Sequence, residues 1–403
     1  MPEALVGQGV AAIDTPALVI DLDAMERNLR RMADFAAARG VRLRPHAKMH
    51  KCAELARLQM AHGAVGVCVQ KISEALALAR GGVTDIYISN QVVDPDKLLR
   101  LAEAVAQQRG VRWAIAVDSA DGVAQLASAM AKAGVQATGA IDVFVEIDAG
   151  QNRCGVVPGD AAVTLARQVL ACPVLRWAGL QAYHGRAQHL RSAEERTAAI
   201  DHAAQAVRVS CAALANAGIG VPLVTGAGSG SFLLEAGSGL WGEIQPGSYL
   251  FMDADYAANQ PLPGAPVFEH ALFVKSQVMS RHGDRAVVDA GHKSHAIDSG
   301  LPAVWFPGGL AYANGGDEHG LLRAFGAGAT LPGLPCCRPR PKPAACAARA
   351  SRWQPPNCAA PIWPPCAPSS RTSARCACGR RRPPPACVSR STTAGSSGSV
   401  KKA

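Results

Sequence analysis

The 403-residue chain has no run of about 18 apolar residues, so no membrane span is expected. Its N-terminus, MPEALVGQGVAAIDTP, lacks a basic stretch followed by an apolar one. That excludes a signal-peptide reading and makes the cytoplasm the expected compartment. Aromatic residues make up only 5% and charged residues 18%, but apolar residues reach 49%, a globular balance. The length suffices for two domains, or for a barrel with a smaller partner. The sharpest absence is regional: residues 335–403 hold no aspartate, glutamate or histidine. They do hold 13 of the 41 lysines and arginines, leaving 28 basic against 31 acidic residues, a net of −3, in residues 1–334. The formal charge of +10 therefore belongs to the tail, and the body offers no basic surface for nucleic acid.

Cysteine divides the same way. Cys52, Cys68, Cys154, Cys172 and Cys211 are scattered through the body and read as reduced thiols, while the other eight lie past residue 335. That tail also carries 13 of the 27 prolines and almost no Ile, Leu, Val, Phe or Met. It has no period of 2 or 3.6 and cannot bury enough apolar area to offset its ordering entropy, so disorder is expected. Arg, Pro, Ala, Cys and Ser enrichment without acids is what GC-rich coding DNA gives in the wrong frame. The abrupt onset fits a frameshift near codon 334.

From residue 17 to 250, short β-rich apolar runs alternate with helical stretches. The expected strands are Ala17–Asp21, Val41–Arg44, Val65–Val69, Ile86–Ser89, Trp113–Val117, Asp142–Ile147, Trp177–Ala182 and Val221–Thr225, with a shorter one before Gln245. Helical patterning marks Asp23–Arg39, Ser73–Arg80, Asp94–Gln108, Gly122–Ala133, Asp160–Ala171, Ala193–Ala217 and Gly230–Ser238. The alternation implies parallel strands with right-handed crossovers. After the first strand, eight units fit a (β/α)8 barrel of the TIM type, although two doubly wound domains also satisfy the spacing. From about residue 265, Ala271–Met279, Arg285–Asp289 and Val304–Phe306 read as strands without long helices between them. The expected division is a barrel over 14–260, a partial, mostly antiparallel β domain over 261–334, and the tail.

Polar residues collect at the expected strand ends: His46 and Lys48, Gln70, Asn90, Asp118 and Ser119, Asp148–Arg153, Tyr183, His184 and His189, Thr225–Ser231, and Gly247–Tyr249. In a parallel barrel these ends form one rim, where sites are built. Lys48 follows the first barrel strand in Arg44-Pro45-His46-Ala47-Lys48-Met49-His50-Lys51. There, partial desolvation and nearby cations can leave a free amine able to form an imine. A plain turn lysine is the alternative. Thr225-Gly226-Ala227-Gly228-Ser229-Gly230-Ser231 follows the seventh barrel strand and opens a helix. Its glycines let N–H groups approach an anion, and a helix start favours negative charge. Gly247-Ser248-Tyr249 could close this cradle. A lysine and a phosphate cradle on one rim point to a phosphate-bearing aldehyde, pyridoxal phosphate.

The stretches DTPALVIDLDAMERNL, RPHAKMHK, VCVQKISEA, EIDAGQNRCGV, GLQAYHG, GAGSGS, QPGSYLFMDADY and DEHG occur in this order between residues 14 and 334. Together they resemble the D-threonine aldolase and 3-hydroxy-D-aspartate aldolase family, pyridoxal-phosphate enzymes of the alanine-racemase-like fold. The resemblance implies a barrel followed by a C-terminal β domain, and cleavage of a D-β-hydroxy amino acid to glycine and an aldehyde. It implies that Lys48 binds the cofactor covalently and that Gln70 and Arg153 lie near its ring. Ser229, Gly247, Ser248 and Tyr256 match phosphate and cofactor contacts; the loop reading adds Thr225, Gly228, Gly230 and Tyr249. Tyr183 and His189 match residues facing the substrate, with His184 beside them. His189, or a metal-bound group, is the candidate for deprotonating the β-hydroxyl. Hydrogen-bonded loop histidines are the plainer reading of His184 and His189. The resemblance also implies a homodimer where the C-terminal domain is intact. No nucleic-acid or membrane partner is expected.

The family also uses a divalent metal, Mn or Mg, held by a histidine and an aspartate of a His-Cys-Asp-Pro stretch. That stretch is expected some tens of residues past Asp317-Glu318-His319-Gly320, where this chain has neither ligand type. Cys336-Cys337 and Cys376-Ala377-Cys378 are poor substitutes. The chain as written is therefore expected to be impaired as an aldolase, with a β domain that lacks its later strands. Three competing readings remain: a D-serine or hydroxyaspartate dehydratase of the same fold, a non-enzymatic pyridoxal-phosphate-binding protein, and a nucleic-acid binder acting through the tail.

Overall fold

Local start and stop signals divide the chain as the pattern predicts. The Asp21 carboxylate accepts the Ala24 N–H at 3.0 Å, and Gly40, at φ 64°, ends the first helix. Asp94 with Pro95, Ser119 and Ser192 open later helices in the same manner. The computed structural model describes residues 7–325 and 331. The tail 335–403, with its expected disorder and change of frame, lies outside the described residues.

In chain order come β1 (Ala17–Ile20), α1 (Leu22–Arg39), β2 (Arg42–Leu43), α2 (Ala53–Ala61), β3 (Val67–Val69), α3 (Ile72–Arg80), β4 (Asp85–Ile88) and α4 (Pro95–Gln107). Then follow β5 (Arg112–Val117), α5 (Ala120–Lys132), β6 (Ile141–Glu146), α6 (Asp160–Leu170), β7 (Leu175–Ala182), α7 (Ala193–Asn216), β8 (Val224–Gly226), α8 (Phe232–Gly237), β9 (Glu243–Ile244) and α9 (Ala254–Ala257). The C-terminal strands are β10 (Leu272–Lys275), β11 (Val278–His282), β12 (Arg285–Val288), β13 (Leu310–Asn314) and β14 (Gly320–Ala324).

Strands β2 to β9 form one parallel sheet in the order β2-β9-β8-β7-β6-β5-β4-β3. A bridge between His46 and Cys68, with Val65 N–H on the Leu43 carbonyl, joins β2 to β3 and closes the barrel. Alternation along the strands divides two layers. Val67, Val69, Ile86, Ile88, Ile115, Val143 and Leu180 face the helices in the main core. Cys68, Tyr87, Ala114, Ala116, Phe144 and Ala178 fill the interior.

A polar column also runs through the interior. Tyr87 Oη donates to Gln181, Gln245 bridges Gln181 and Thr225, and Thr225 Oγ1 donates to Glu243 at 2.8 Å. Arg44 binds Glu243 at 2.9 Å and Asp85 at 2.6 Å, and Arg112 and Arg176 carry the network on through Asp142. Arg44 and Glu243 are 3% and 1% exposed at the side chain, so neither charge has water to fall back on. Arg44→Met should therefore cost roughly 3–5 kcal/mol, read as a lower urea midpoint, because it removes the buried cation shared by two carboxylates and leaves Glu243 with Arg42 and Asp85 with Arg112.

Four differences from the sequence expectations have local causes. The expected list omits α2, whose N-cap, Cys52, makes no side-chain capping hydrogen bond and gives no start signal. The first strand, expected ahead of the eight barrel units but within the 14–260 division, pairs antiparallel with β10 beyond it. The run Ala271–Met279 is two strands: β10 belongs with β1, and β11 belongs to a four-stranded sheet ordered β11-β12-β14-β13. Val304–Phe306 forms no strand; Trp305 and Phe306 are exposed, and β13 and β14 supply the pairing instead. That sheet packs Ala286, Val288, Leu310, Leu322 and Leu331 into a small core of its own. No helix among the described residues is long and apolar enough to cross a membrane.

Candidate active site

The C-terminal ends of the barrel strands carry a ring of polar side chains. After β2 the chain makes a single 3-10 turn, Ala47–Met49, that places Lys48 on the rim. Lys48 remains solvent-accessible in the mouth, yet protein surrounds much of its side chain. Burial and then the nearby Arg153 charge lower its proton affinity below the ordinary lysine range. Beneath it His46 is buried, and its Nδ1 accepts the Lys48 N–H at 3.3 Å while Nε2 meets the Gln70 amide at 2.9 Å. Burial, with Lys48 and His50 adding repulsion, holds His46 neutral. The Gln70 atom facing His46 Nε2 is the amide nitrogen, which also lies 3.4 Å from Ser89 Oγ.

The ring continues from Lys48 to Arg153, whose guanidinium lies 5.7 Å from the Tyr183 ring centroid. Tyr183 is close enough to Tyr256 to help raise the pKa of its phenol, and Tyr256 shares a side-chain hydrogen bond with Ser248. Burial raises the pKa of both phenols, so both stay protonated at neutral pH. Gly247 returns to the start: a Cβ there would lie 3.1 Å from the His46 carbonyl oxygen. Opposite, Ser229 Oγ accepts the Tyr249 N–H at 3.0 Å and ties the two glycine loops together. The N–H groups of Gly228 and Ser229 have no protein acceptor among the described residues.

His189 stands at the rim beside Tyr256, with ring centroids 5.5 Å apart. Its Nδ1 is 2.7 Å from Asp255 Oδ2. Burial pushes the Asp255 carboxyl up, but hydrogen bonds from Arg191 and His189 outweigh it and hold the carboxyl below its usual range. A carboxylate only accepts, so the His189 proton sits on Nδ1 and Nε2 is left as an acceptor.

Four expected site residues have side chains or N–H groups already committed within the protein. The Thr225 side chain is inside the barrel, committed to Glu243 and Gln245. Tyr249 is a core residue whose hydroxyl accepts from Gln59 at 3.1 Å. The Gly230 N–H is taken by Gln188 Oε1 at 2.9 Å. His184 packs under the 148–153 loop, 3.2 Å from where a Gly150 Cβ would stand, and burial lowers its pKa. Conversely, the expected site set omits Asp255 and His46. Asp255 lies 66 residues from His189 in sequence, while His46, two residues before Lys48, was legible as a strand-end polar group.

Backbone strain marks the same rim. The four non-glycine residues with positive φ among those described, Lys51, Asn152, Ala227 and Met252, all lie in loops at this end. Such conformations persist where surrounding structure enforces them, often at functional sites. A wide depression at the opposite end of the barrel, lined by Asp85, Arg112 and Arg176 among others, is less suited to chemistry. Arg112 and Arg176 are already paired with Asp85 and Asp142.

Residues 20–255 match the model of the alanine racemase N-terminal domain, and residues 271–335 match that of a putative serine dehydratase domain. A D-threonine aldolase of Arthrobacter sp is 45% identical over 323 residues, 80% of this chain and 83% of the relative. A 3-hydroxy-D-aspartate aldolase of Paracoccus denitrificans is 42% identical over 325 residues, 79% of this chain and 82% of the relative. The crystal structure of D-threonine aldolase from Filomicrobium marinum is 51% identical, with a TM-score of 0.74 over 78% of this chain and 83% of that one. A D-threo-3-hydroxyaspartate dehydratase of Delftia sp. stands further off, at 32% over 78% of this chain and 85% of the relative. The chain therefore belongs to the D-threonine aldolase and 3-hydroxy-D-aspartate aldolase family, built on the alanine-racemase-like barrel.

Proposed function

We propose that the barrel carries out pyridoxal-phosphate-dependent aldol cleavage of D-β-hydroxy amino acids, D-threonine or 3-hydroxy-D-aspartate, to glycine and an aldehyde. The observation that carries this is an amine of lowered proton affinity, Lys48, on the same rim as two glycine loops with unpartnered N–H groups. That donor set fits a phosphate-bearing aldehyde. Lys48 would hold the aldehyde carbon, and Gly228, Ser229 and the Gly247–Ser248 turn would hold the phosphate. Helix α8 has only six residues, so backbone donors rather than a long helix dipole do this work.

When bound, pyridoxal phosphate supplies an electron sink for the charge left on Cα as the Cα–Cβ bond breaks. His189 Nε2 takes the β-hydroxyl proton, and Asp255 balances the charge that His189 then carries. Tyr183 and Tyr256, both protonated, offer hydroxyl donors to the substrate side. Arg153, against Tyr183, and Gln70, against His46, would lie near the cofactor ring. Because only neutral Lys48 reacts, cofactor uptake should rise with pH. Its midpoint should fall below about 10, the ordinary lysine range. Stopped-flow uptake rates across pH check this.

No cluster of three or more His, Cys, Asp or Glu suited to a metal occurs among the described residues. The described residues therefore do not fit the divalent metal that the sequence resemblance implies. The family match ends at residue 335, where the composition changes. This supports reading residues 335–403 as out-of-frame translation that removes the expected metal ligands. On the same reading the enzyme is cytoplasmic, and it is dimeric when its C-terminal domain is intact.

The 271–335 match and the Delftia relative favour a dehydratase as the second reading. Incubation with pyridoxal phosphate and each D-β-hydroxy amino acid separates the two. Glycine and an aldehyde support the aldolase. Ammonia and an oxo acid would replace it with the dehydratase.

A further inference from the structure

Gln188 is fully buried in the turn Arg186–His189, between two segments of the rim. Its Nε2 donates to Ser231 Oγ at 2.7 Å, and its Oε1 accepts the Gly230 N–H at 2.9 Å. The direction of this amide is fixed from outside. Ser231 Oγ gives its own proton to Glu235 Oε1 at 2.8 Å, so toward Gln188 it can only accept. That sets the amide nitrogen against Ser231 and the oxygen against Gly230. The packing is equally close: a Cβ at Gly228 would stand 2.4 Å from Gln188 Oε1, and one at Gly230 2.8 Å from the Gln188 carbonyl oxygen. That carbonyl is itself held by Asn259 Nδ2 at 2.9 Å. The Gly228–Gly230 turn is thus moulded on one side chain, which leaves the Gly228 and Ser229 N–H groups for an anion.

We propose that Gln188 is a positioning residue that fixes the Gly228–Gly230 turn in the shape that receives the cofactor phosphate. The inference rests on the pyridoxal-phosphate reading of the mouth and assigns that reading a residue outside the expected set. Gln188 acts through the turn and does not touch the phosphate. Removing its amide should weaken phosphate recognition while sparing recognition of the aldehyde.

Glutamine 188 changed to methionine, Gln188→Met, keeps the length and removes all three hydrogen bonds of the amide, the third running from Nε2 to the His184 carbonyl at 3.3 Å. The full chain and this variant are titrated with pyridoxal phosphate and, separately, with pyridoxal, which has the same aldehyde and no phosphate. The visible absorbance of the lysine adduct reports binding. The expected result is a Kd for pyridoxal phosphate raised about tenfold, with pyridoxal affinity within about twofold of the parent. Ser231→Ala, which removes the acceptor and leaves the core packing, should give a smaller shift with the same phosphate selectivity. It serves also if Gln188→Met fails to fold. An unchanged pyridoxal-phosphate Kd, or equal weakening of both ligands, would overturn the assignment of Gln188. A parent chain that binds neither ligand would overturn the cofactor reading itself, together with this inference.

Discussion

Replacing Lys48 with alanine is expected to lower aldol cleavage by on the order of 10³–10⁴-fold and to leave the fold intact. The size of the effect follows from its chemistry. Lys48 is the rim amine whose proton affinity is lowered by burial and by Arg153, so no neighbouring lysine replaces it at neutral pH. Lys51 is paired with Glu74 at 3.2 Å and sits in a solvent-facing turn. The fold survives because the Lys48 side chain makes no hydrogen bond or ion pair among the described residues. Lys48→Arg should be nearly as damaging, since a guanidinium stays protonated and cannot form the imine. Activity assays with circular dichroism on the same samples check both parts. Near-parental cleavage by Lys48→Ala would remove the lysine from the mechanism.

Exchanging residues 335–403 for the C-terminal segment of the Arthrobacter D-threonine aldolase should raise cleavage by at least about 10²-fold and make it respond to added Mn or Mg. The segment as written has no histidine or carboxylate side chain, so metal addition to the unaltered chain should change little. The exchange should also raise the melting temperature. The sheet β11-β12-β14-β13 now rests on a core of a few small and aliphatic side chains, and Met279, Trp305, Phe306 and Phe325 are exposed around it. Sequencing the gene across codon 334 reports on the cause. A second frame encoding a His-Cys-Asp-Pro-like stretch supports a frameshift. Its absence leaves a degenerate member of the family whose barrel binds the cofactor without cleaving substrate.

The barrel was legible because its strands are short and apolar and several are followed by a capped helix, as with Val117, Ser119 and α5, although α2, α6 and α8 open without a side-chain cap. Lys48 was legible because it follows such a strand directly. The C-terminal sheet was less so. Leu310–Asn314 and Gly320–Ala324 are strands held by pairing with each other and with β12, not by a strong alternating pattern of their own. In the site, long-range partners were the hidden part. Nothing near His189 in sequence announces Asp255, and Gln188 looks like any loop glutamine until Ser231 and Gly230 close around it. Thr225 and Tyr249 misled for the opposite reason. Each lies in a loop or strand end that reads as rim, but its side chain turns inward to Glu243 or Gln59. Sequence spacing places a backbone, and only packing decides which way the side chain goes.

The most direct test is to mix the full chain with pyridoxal phosphate, reduce with borohydride, digest, and locate the modified lysine by mass spectrometry. The expected result is a stoichiometric adduct on Lys48 that Lys48→Ala abolishes. An adduct spread over surface lysines, or none at all, would contradict a pyridoxal-phosphate site in this barrel.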